Sequence, residues 1–299
     1  MKNTKFGLLS LGLVGSLSLG CSEVDDGYDD VTERNAEIVE NLIEAGFAEG
    51  DIEIREAESV VLTEGGEALL GSPEPQVFVD GDVHMTLGMS REMLDGGEGD
   101  GTSFRHWRTP NIVNNNNMIC LAKVTTGLGG FGSYVLTDAM DTGVNRAKDN
   151  YNALGSVGLD FKVGNATLNA DGTLTHAIGG CDFTIFVYKV NGGAGGSAGF
   201  PSGGAPYNQV QLNSGLSGYS VGVHEHVATH EIGHAIGMRH TDWKTRSSCG
   251  QNTNEGKSGA IRISGTADQT TNSIMASCFG GSENGNFKGE DAEAFNKLY

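Results

Sequence analysis

The feature that most constrains this chain is a stretch of thirteen residues, His230 to Asp242, with the sequence HEIGHAIGMRHTD. We predict a helix from Val221 to Met238, and on a helix residues four apart share one face. His230 and His234 can therefore present their imidazoles to one metal ion. Glu231 directly follows the first histidine, which directs its carboxylate to the open side of the metal, where a general base has to stand.

A catalytic zinc site has three protein ligands and one open position, so a third ligand is required. Gly237, three residues after His234, can adopt the left-handed conformation that ends a helix. The chain can then turn back and present His240, leaving the fourth position for water and substrate. Zinc in such a site lowers the pKa of its bound water to about 7. The predicted cofactor is Zn²⁺, and its predicted ligands are His230, His234 and His240.

An alternative third ligand is Glu255, which lies 21 residues after His234, because gluzincins take a glutamate from a later helix. The run 247–258 is dense in Gly, Asn and Ser and has no apolar period. Such a composition is typical of a loop and not of a ligand-bearing helix. The sequence therefore favours His240.

A candidate methionine turn, Ser273-Ile274-Met275-Ala276-Ser277, follows the histidines and would lie beneath the metal. Its Met275 comes 35 residues after His240. A single methionine usually fills a gap in a core, but a methionine in this order relative to the histidines favours the turn. The histidine spacing with this turn is the metzincin pattern.

Together these residues resemble the dual-action HEIGH metallopeptidases, a bacterial and especially myxobacterial family within the metzincins. The resemblance covers roughly residues 105–299. Beyond the histidine stretch and the methionine segment, it rests on four shorter matches: GFPSGG at 199–204, SCG at 248–250, SGT at 264–266 and the closing Leu298-Tyr299.

The resemblance implies a zinc metalloendopeptidase that acts on protein or peptide substrates, with Glu231 as the catalytic base. It also implies that residues 196–200 form an edge strand that pairs with an extended substrate, although so much glycine is equally typical of a flexible loop. Astacin-type metzincins place a tyrosine two residues after the methionine, where this chain has Ser277. The group that stabilises the oxyanion is therefore left open, as are the cleavage preference and the natural substrate. The alternative function is an inactive zinc-binding surface or adhesion protein, against which the presence of Glu231 speaks.

The N-terminus predicts export from the cytoplasm. Lys2 and Lys5 precede an apolar run from Phe6 to Leu19, which is too short for a membrane span and typical of a signal peptide over residues 1–20. Cys21 follows directly and resembles a lipoprotein cleavage site, although Ser18 stands where leucine is usual. We favour an outer-membrane lipoprotein with a lipid on Cys21 over free secretion to the extracellular space. Contact with a membrane is expected only through that lipid.

Charge separates the rest of the chain into two parts. Residues 21–104 contain 23 Asp and Glu against 3 Arg, whereas residues 105–299 contain 15 acidic against 14 basic residues. We predict that 21–104 is an acidic pro-segment, with a cleavable junction at 96–103 and a helix that packs its apolar face within 32–47. Basic residues are scattered, so no nucleic acid is expected as a partner. Residues 105–299 form the predicted peptidase domain, and we expect a monomer.

Asp82 is a candidate for keeping the enzyme silent. The run Val79 to Val83 resembles the Gly-Asp segment of astacin-type propeptides, whose aspartate replaces the catalytic water on zinc. A carboxylate oxygen binds zinc at about 2.0–2.2 Å and could fill the open position. The alternative is an ordinary turn between two short strands. No cysteine lies between Ser22 and Ile119, which excludes a thiolate in this role within that segment.

The domain from residue 105 onward is predicted to be α+β and metzincin-like. We expect a twisted, mostly parallel sheet over helices, with the active-site cleft between an upper and a lower lobe. The predicted elements before the zinc helix are strands at 118–124, 159–163, 182–190 and 207–212 and a helix at 137–154.

Four cysteines remain if Cys21 is removed or lipidated, and an even number in an exported chain predicts two disulfides. Of the three possible connectivities we favour Cys120–Cys181 with Cys249–Cys278. His224 and His226 are expected to be structural or surface residues. Asp242 is expected either to orient a ligand imidazole or to begin the next turn.

Overall fold

The computed structural model describes residues 30–95, 106–155, 158–255, 259–266 and 273–299. The predicted signal peptide, Cys21 and the predicted junction at 96–103 lie outside these ranges. We call residues 30–95 the N-terminal segment and residues 106–299 the C-terminal region. None of the helices in the described ranges has the length and hydropathy of a membrane span.

The described ranges contain five α-helices and fourteen strands. The helices are α1 (Val31–Glu44), α2 (Leu87–Asp95), α3 (Asp138–Asn152), α4 (Val221–Ile236) and α5 (Gly289–Leu298). The strands of the N-terminal segment are β1 (Ile52–Ala57), β2 (Val60–Leu62), β3 (Ala68–Leu70), β4 (Glu74–Val79) and β5 (Val83–Met85). Those of the C-terminal region are β6 (Trp107–Arg108), β7 (Asn117–Gly127), β8 (Leu159–Leu168), β9 (Thr173–His176), β10 (Phe183–Val190), β11 (Gly196–Ala198), β12 (Gln209–Asn213), β13 (Met238–Arg239) and β14 (Ile261–Arg262).

Eleven strands form one mixed sheet in the order β1-β4-β5-β11-β12-β10-β7-β8-β9-β3-β2. The central strands β12, β10, β7 and β8 are parallel. Successive side chains of a strand point to opposite faces. Leu121 and Val187 accordingly pack in the core that includes α3 and α4, whereas Val124 and Phe186 belong to a second cluster on the other face. The α+β prediction with its parallel strands over helices is confirmed.

The N-terminal segment contributes strands to both edges of this sheet, which the sequence did not predict. β5 pairs with β11 at one edge, and β3 pairs with β9 at the other. The connection from β1 to β2 lies over the second face, where Gln211 donates to the carbonyl of Glu58 at 2.8 Å. Val60 and Leu70 complete the apolar cluster on that face. The sheet and the N-terminal segment therefore share a core.

The predicted N-terminal helix is present as α1, and its apolar face is narrower than expected. Ile38 and Leu42 are buried, as the helical spacing predicts, and Phe47 is buried beyond the end of the helix. Ile43 was expected on the same face but is 46 % exposed. It lies one residue from Leu42, so on a 3.6-residue helix it is turned about 100° away from that face.

Both favoured disulfides are confirmed. Cys120–Cys181 links β7 to the segment before β10, with Cα atoms 5.6 Å apart. Cys249–Cys278 joins the loop after the histidine stretch to the end of the methionine turn, with Cα atoms 5.1 Å apart. The second bond holds together two segments that both contact the candidate site.

Candidate metal centre

α4 carries the first two histidines through the middle of the molecule. Every residue from Val223 to Ile236 is buried, so this helix is enclosed on all sides. It ends at Ile236, two residues earlier than predicted, and the next residue, Gly237, has a φ of 120°, which strongly favours glycine. The turn at Gly237 leads into β13, which pairs with β6 and delivers His240 directly after it.

The structure brings the Nε2 atoms of the three predicted ligands together. His230 and His234 lie 3.0 Å apart, and each lies 3.1 Å from His240. All three side chains are at least nine-tenths buried. The sequence spacing therefore places its three histidines around one point, next to which the carboxylate of Asp82 also lies.

In two of the imidazoles, the contact on the edge opposite Nε2 shows which ring nitrogen carries the proton. Nδ1 of His230 lies 2.7 Å from the carbonyl of Ile274, and Nδ1 of His234 lies 2.8 Å from the carbonyl of Met238. Carbonyl oxygens only accept hydrogen bonds, so each Nδ1 has to be the donor. With the proton on Nδ1, Nε2 of these two rings can offer its lone pair to a metal ion, and burial keeps the pKa of His234 well below its ordinary value.

Three imidazole nitrogens this close together repel one another unless a cation binds between them. Zinc–nitrogen bonds of about 2.0–2.1 Å in a tetrahedral site separate neighbouring ligand atoms by roughly 3.3 Å, close to the observed spacing. The donor set, three imidazole nitrogens with one carboxylate nearby, therefore fits a transition-metal ion.

The methionine turn lies beneath α4, as the sequence predicted. Met275 is fully buried, and a Cβ added to Gly233 would meet its sulfur at 2.5 Å, so glycine lets the turn approach the helix. The carbonyl of Met275 accepts from the backbone N–H of Thr241 at 2.8 Å. The turn therefore contacts the segment carrying His240, and through the carbonyl of Ile274 it also holds His230.

Asp291 of α5 anchors this turn, and no pattern in the sequence predicted this role. Its carboxylate accepts from the hydroxyl of Ser273 at 2.6 Å and from the backbone N–H of Ile274 at 3.1 Å. It also pairs with Nε2 of His106 at 2.8 Å, and all of these groups are buried. Burial raises the pKa of Asp291, but the hydrogen bonds from His106 and Ser273 outweigh it and lower that pKa below its ordinary value.

Glu255 supports His240 and is not placed as a metal ligand. Its carboxylate lies 2.9 Å from Nδ1 of His240, on the edge of the ring opposite Nε2. Arg246 donates to it at 3.0 Å, and the hydroxyl of Ser277 donates at 2.8 Å. Glu255 therefore occupies the position from which a carboxylate orients a ligand imidazole and raises its basicity. Ser277, at the position of the astacin tyrosine, contributes its hydroxyl to this support.

Asp242 begins the next turn, which is the second of its two expected roles. Its carboxylate accepts from the backbone N–H and hydroxyl of Ser248 and from those of Ser277, at 2.7–2.9 Å. Its carbonyl accepts from Arg246 at 2.7 Å and closes a turn. Asp242 thus fixes the loop, whereas orientation of an imidazole falls to Glu255.

Glu231 lies beside the cluster with one carboxylate oxygen free of protein partners. Its side chain is 2 % exposed, and Oε2 has no hydrogen-bond partner among the described residues. Burial, and next the charge of Asp82, raise the pKa of Glu231 well above its ordinary value. A buried carboxyl with a raised pKa next to a metal is suited to accept and return a proton.

Asp82 lies both in a turn between two strands and beside the histidines, the two placements that the sequence offered as alternatives. It ends a tight turn between β4 and β5, in which Asp80 and Gly81 have φ of 62° and 90°. Its Oδ2 also lies 3.3 Å from Nε2 of His240 and 3.5 Å from Nε2 of His230, near the spacing of a fourth tetrahedral ligand. Burial raises the pKa of Asp82, but the imidazoles, His240 foremost, outweigh it and keep that pKa well below its ordinary value.

The edge strand expected at 196–200 is present as β11 and not as an unstructured loop. It pairs antiparallel with β12, and its Ala198 donates to the carbonyl of Asp82 at 3.1 Å. The N-terminal segment therefore occupies the edge to which an extended peptide could add.

His224 and His226 stay outside the cluster, as structural residues would. Nδ1 of His226 contacts the carbonyl of Asn284 at 3.3 Å, and burial lowers its pKa to about 4.

No curated protein matches the chain. Two solved structures of myroilysin align with TM-scores of 0.35, at 13 % and 15 % identity. These alignments cover 67 % and 62 % of this chain and 98 % and 84 % of the myroilysin chains, and at this TM-score they add nothing to the assignment.

The comparison with models of protein families identifies the family of this chain. The model of the family described as "Dual-action HEIGH metallo-peptidase" matches residues 77–299, which include β5, Asp82 and the whole histidine cluster. This match covers most of the chain, and it agrees with the resemblance noted from the sequence. Family membership implies a metal ion and protein or peptide substrates. The chain belongs to the dual-action HEIGH metallopeptidase family.

Proposed function

We propose that this protein is an exported zinc endopeptidase of metzincin type, made as a silent precursor. The observation that carries the proposal is the convergence of three buried Nε2 atoms, with the carboxyl of Glu231 beside them. Three histidines that are joined by no fourth nitrogen or sulfur ligand from the described residues favour zinc with an open catalytic position.

When bound, zinc would supply Lewis acidity, lowering the pKa of a water and polarising the scissile carbonyl. Glu231 accepts a proton from the attacking water and returns it to the nitrogen of the leaving amine. Glu255 and the carbonyls of Ile274 and Met238 keep the three imidazoles in the tautomer that exposes Nε2. β11 aligns the substrate by adding it as a strand to the sheet edge.

Digestion of casein or gelatin by the processed enzyme tests this proposal. We expect cleavage that stops with a chelator and returns when zinc is added. Glu231→Gln should keep about one zinc per chain while activity falls by about 10²-fold or more, since the variant keeps the ligands but lacks the base. His176→Gln, a change to a histidine outside the cluster, serves as the matched control and should retain full activity.

Full zinc occupancy without any cleavage would instead favour the alternative of an inactive zinc-binding surface protein. Normal activity of the Glu231 variant would contradict the assigned base.

We further propose that Asp82 silences the precursor. Its carboxylate takes the position at the three histidines that water needs, and its charge adds to burial in raising the pKa of Glu231. β5 at the same time covers the edge of β11. Removal of the N-terminal segment would free the metal, the base and the strand edge together.

Expression of residues 22–299 with Asp82→Ala tests this role. Peptidase activity measured before any cleavage should rise well above that of the unaltered precursor, because water can then reach the metal. Glu64→Gln, which removes an exposed carboxylate from the same segment, should remain silent. An Asp82 variant as silent as the unaltered precursor would rule out this role.

Export and anchoring are proposed from the sequence of the first 21 residues. Cell fractionation should find the protein outside the cytoplasm, in the outer membrane or the medium. Cys21→Ser should release the protein from the membrane if the lipid is attached there.

All three candidate ligands and the base come from one chain, so we propose a monomer. A solution mass near twice the 31.3 kDa of the chain would contradict this.

A further inference from the structure

The edge strand β11 packs directly against the proposed base. Its residues alternate between the two faces of the sheet, and Ser197 lies on the second face, where its hydroxyl donates to Oε1 of Gln211 at 3.0 Å. The preceding residue, Gly196, therefore faces α4. A Cβ added to Gly196 would lie 2.8 Å from Cγ and 2.9 Å from Oε1 of Glu231. The backbone of Gly196 is thus the surface against which the side chain of Glu231 rests.

Glycine is required at this position by the space available and not by the backbone conformation. The φ of Gly196 does not lie in the left-handed region, so alanine could adopt the same conformation. The methyl group of that alanine would also lie 2.7 Å from the carbonyl oxygen of Gln211, between the backbone of β12 and Glu231. Carbon atoms in contact prefer a separation of about 3.5–4.0 Å, so Cγ of Glu231 would have to move by roughly 0.7 Å or more.

The side chain of Glu231 is freer to move than the backbone of β12. β12 pairs with β10 on one side and with β11 on the other, which fixes its position. Glu231 is buried, but its Oε2 has no hydrogen-bond partner among the described residues. Packing against Gly196 therefore holds the carboxyl in place where hydrogen bonds to Oε2 do not. A methyl group at Gly196 would displace the carboxyl and leave the strand in its register.

Gly193, three residues earlier in the same glycine-rich run, has no such constraint. It is exposed, and no atom lies within 4 Å of the position that its Cβ would take. Its φ is also outside the left-handed region. Alanine at Gly193 therefore adds the same methyl group to the same run without displacing a neighbour, which makes this position a matched control for Gly196.

Displacement of the base should lower the rate of proton transfer and leave the metal ligands in place. A general base has to lie within about 2.6–3.2 Å of the group whose proton it takes, and a misplacement of about 1 Å can cost about 10²-fold in rate. His230 and His234 are carried by α4, and His240 follows β13. None of the three depends on β11 for its position.

We propose that Gly196 is a positioning residue, whose missing side chain leaves the space that the carboxyl of Glu231 needs in order to act as the base. This inference rests on the proposed endopeptidase function. It gives β11 two roles, because the strand that adds the substrate to the sheet edge also fixes the base beside that edge.

Processed Gly196→Ala enzyme, compared with the unaltered enzyme on one fluorogenic peptide, tests this role. We expect kcat to fall by about tenfold or more, whereas KM stays within about twofold and the zinc content stays at about one per chain. Gly193→Ala should match the unaltered enzyme in all three quantities. An unchanged kcat in the Gly196 variant would overturn the proposal. A KM raised by more than about twofold would also overturn it, since the substrate edge would then have moved.

Urea unfolding of the full chain tests the same contact without any activity measurement, and it covers a Gly196 variant that is too unstable to assay. Glu231→Ala removes the side chain that the methyl group would meet. Gly196→Ala should therefore lower the urea midpoint less in the Glu231→Ala background than in the unaltered chain. An equal loss in both backgrounds would overturn the proposed contact. Absence of peptide cleavage by the unaltered processed enzyme would instead overturn the endopeptidase proposal.

Discussion

Some residues of the metal centre could be predicted from their spacing along the sequence, and others could not. His230, His234 and Glu231 follow from helix geometry, and Gly237 with His240 follows from the need to end that helix. Glu255 could not be assigned its place because it lies in an irregular loop 15 residues from the imidazole it contacts. The loop brings Glu255 and His240 into contact, and no periodic pattern in the sequence predicts such a contact.

Glu255→Ala should therefore weaken zinc binding although Glu255 is not a ligand. Loss of the carboxylate frees Nδ1 of His240, and such partners are typically worth about 10- to 100-fold in metal affinity. Competition with a chelator measures the zinc dissociation constant directly. Asn252→Ala, at an exposed position in the same loop, provides the control, and an unchanged dissociation constant in the Glu255 variant would show that the contact has no such role.

At the scale of elements, the longer strands and helices of the C-terminal region were predictable and the short strands were not. The strands at 118–124 and 182–190 and the helix at 137–154 correspond to β7, β10 and α3 within a few residues. Strands of three residues such as β2, β3 and β5 carry too few positions for an alternating pattern, so their pairing is decided by the sheet edges they meet. The contact between α5 and the methionine turn was also not predictable, because it depends on the single side chain of Asp291.

Asp291→Asn should lower the free energy of unfolding by about 2–4 kcal/mol at pH 7, because buried donors lose a charged acceptor. The pKa of Asp291 is lower in the folded than in the unfolded state, so its contribution is complete above the unfolded value of about 4. It is lost as the pH falls through the folded value. Urea unfolding of both proteins should thus show a difference that shrinks below about pH 4.

Asp160→Asn, at an exposed position of β8, is the control for this series and should match the unaltered chain at each pH. A difference between the Asp291 variant and the unaltered chain that stays constant down to pH 3 would contradict the assigned role of the carboxylate.

At the scale of the whole molecule, the charge distribution predicted that the N-terminal segment is separate from the C-terminal region. The structure instead packs the two against each other in one sheet. The acidic excess of residues 21–104 is visible in the sequence, because charge density needs no three-dimensional information. The sharing of one eleven-stranded sheet depends on strand pairing between residues more than 100 positions apart, such as Leu69 with Thr173. One continuous chain thus reaches both edges of the sheet and also places Asp82 at the metal centre.

The most direct test of this account is an anomalous-scattering map of crystals of residues 22–299, recorded at the zinc absorption edge. The account predicts one peak, with Nε2 of His230, His234 and His240 at about 2.0–2.1 Å and a carboxylate oxygen of Asp82 at about 2.0–2.2 Å. A peak coordinated by Glu255 in place of His240, or no peak between the three imidazoles, would contradict it.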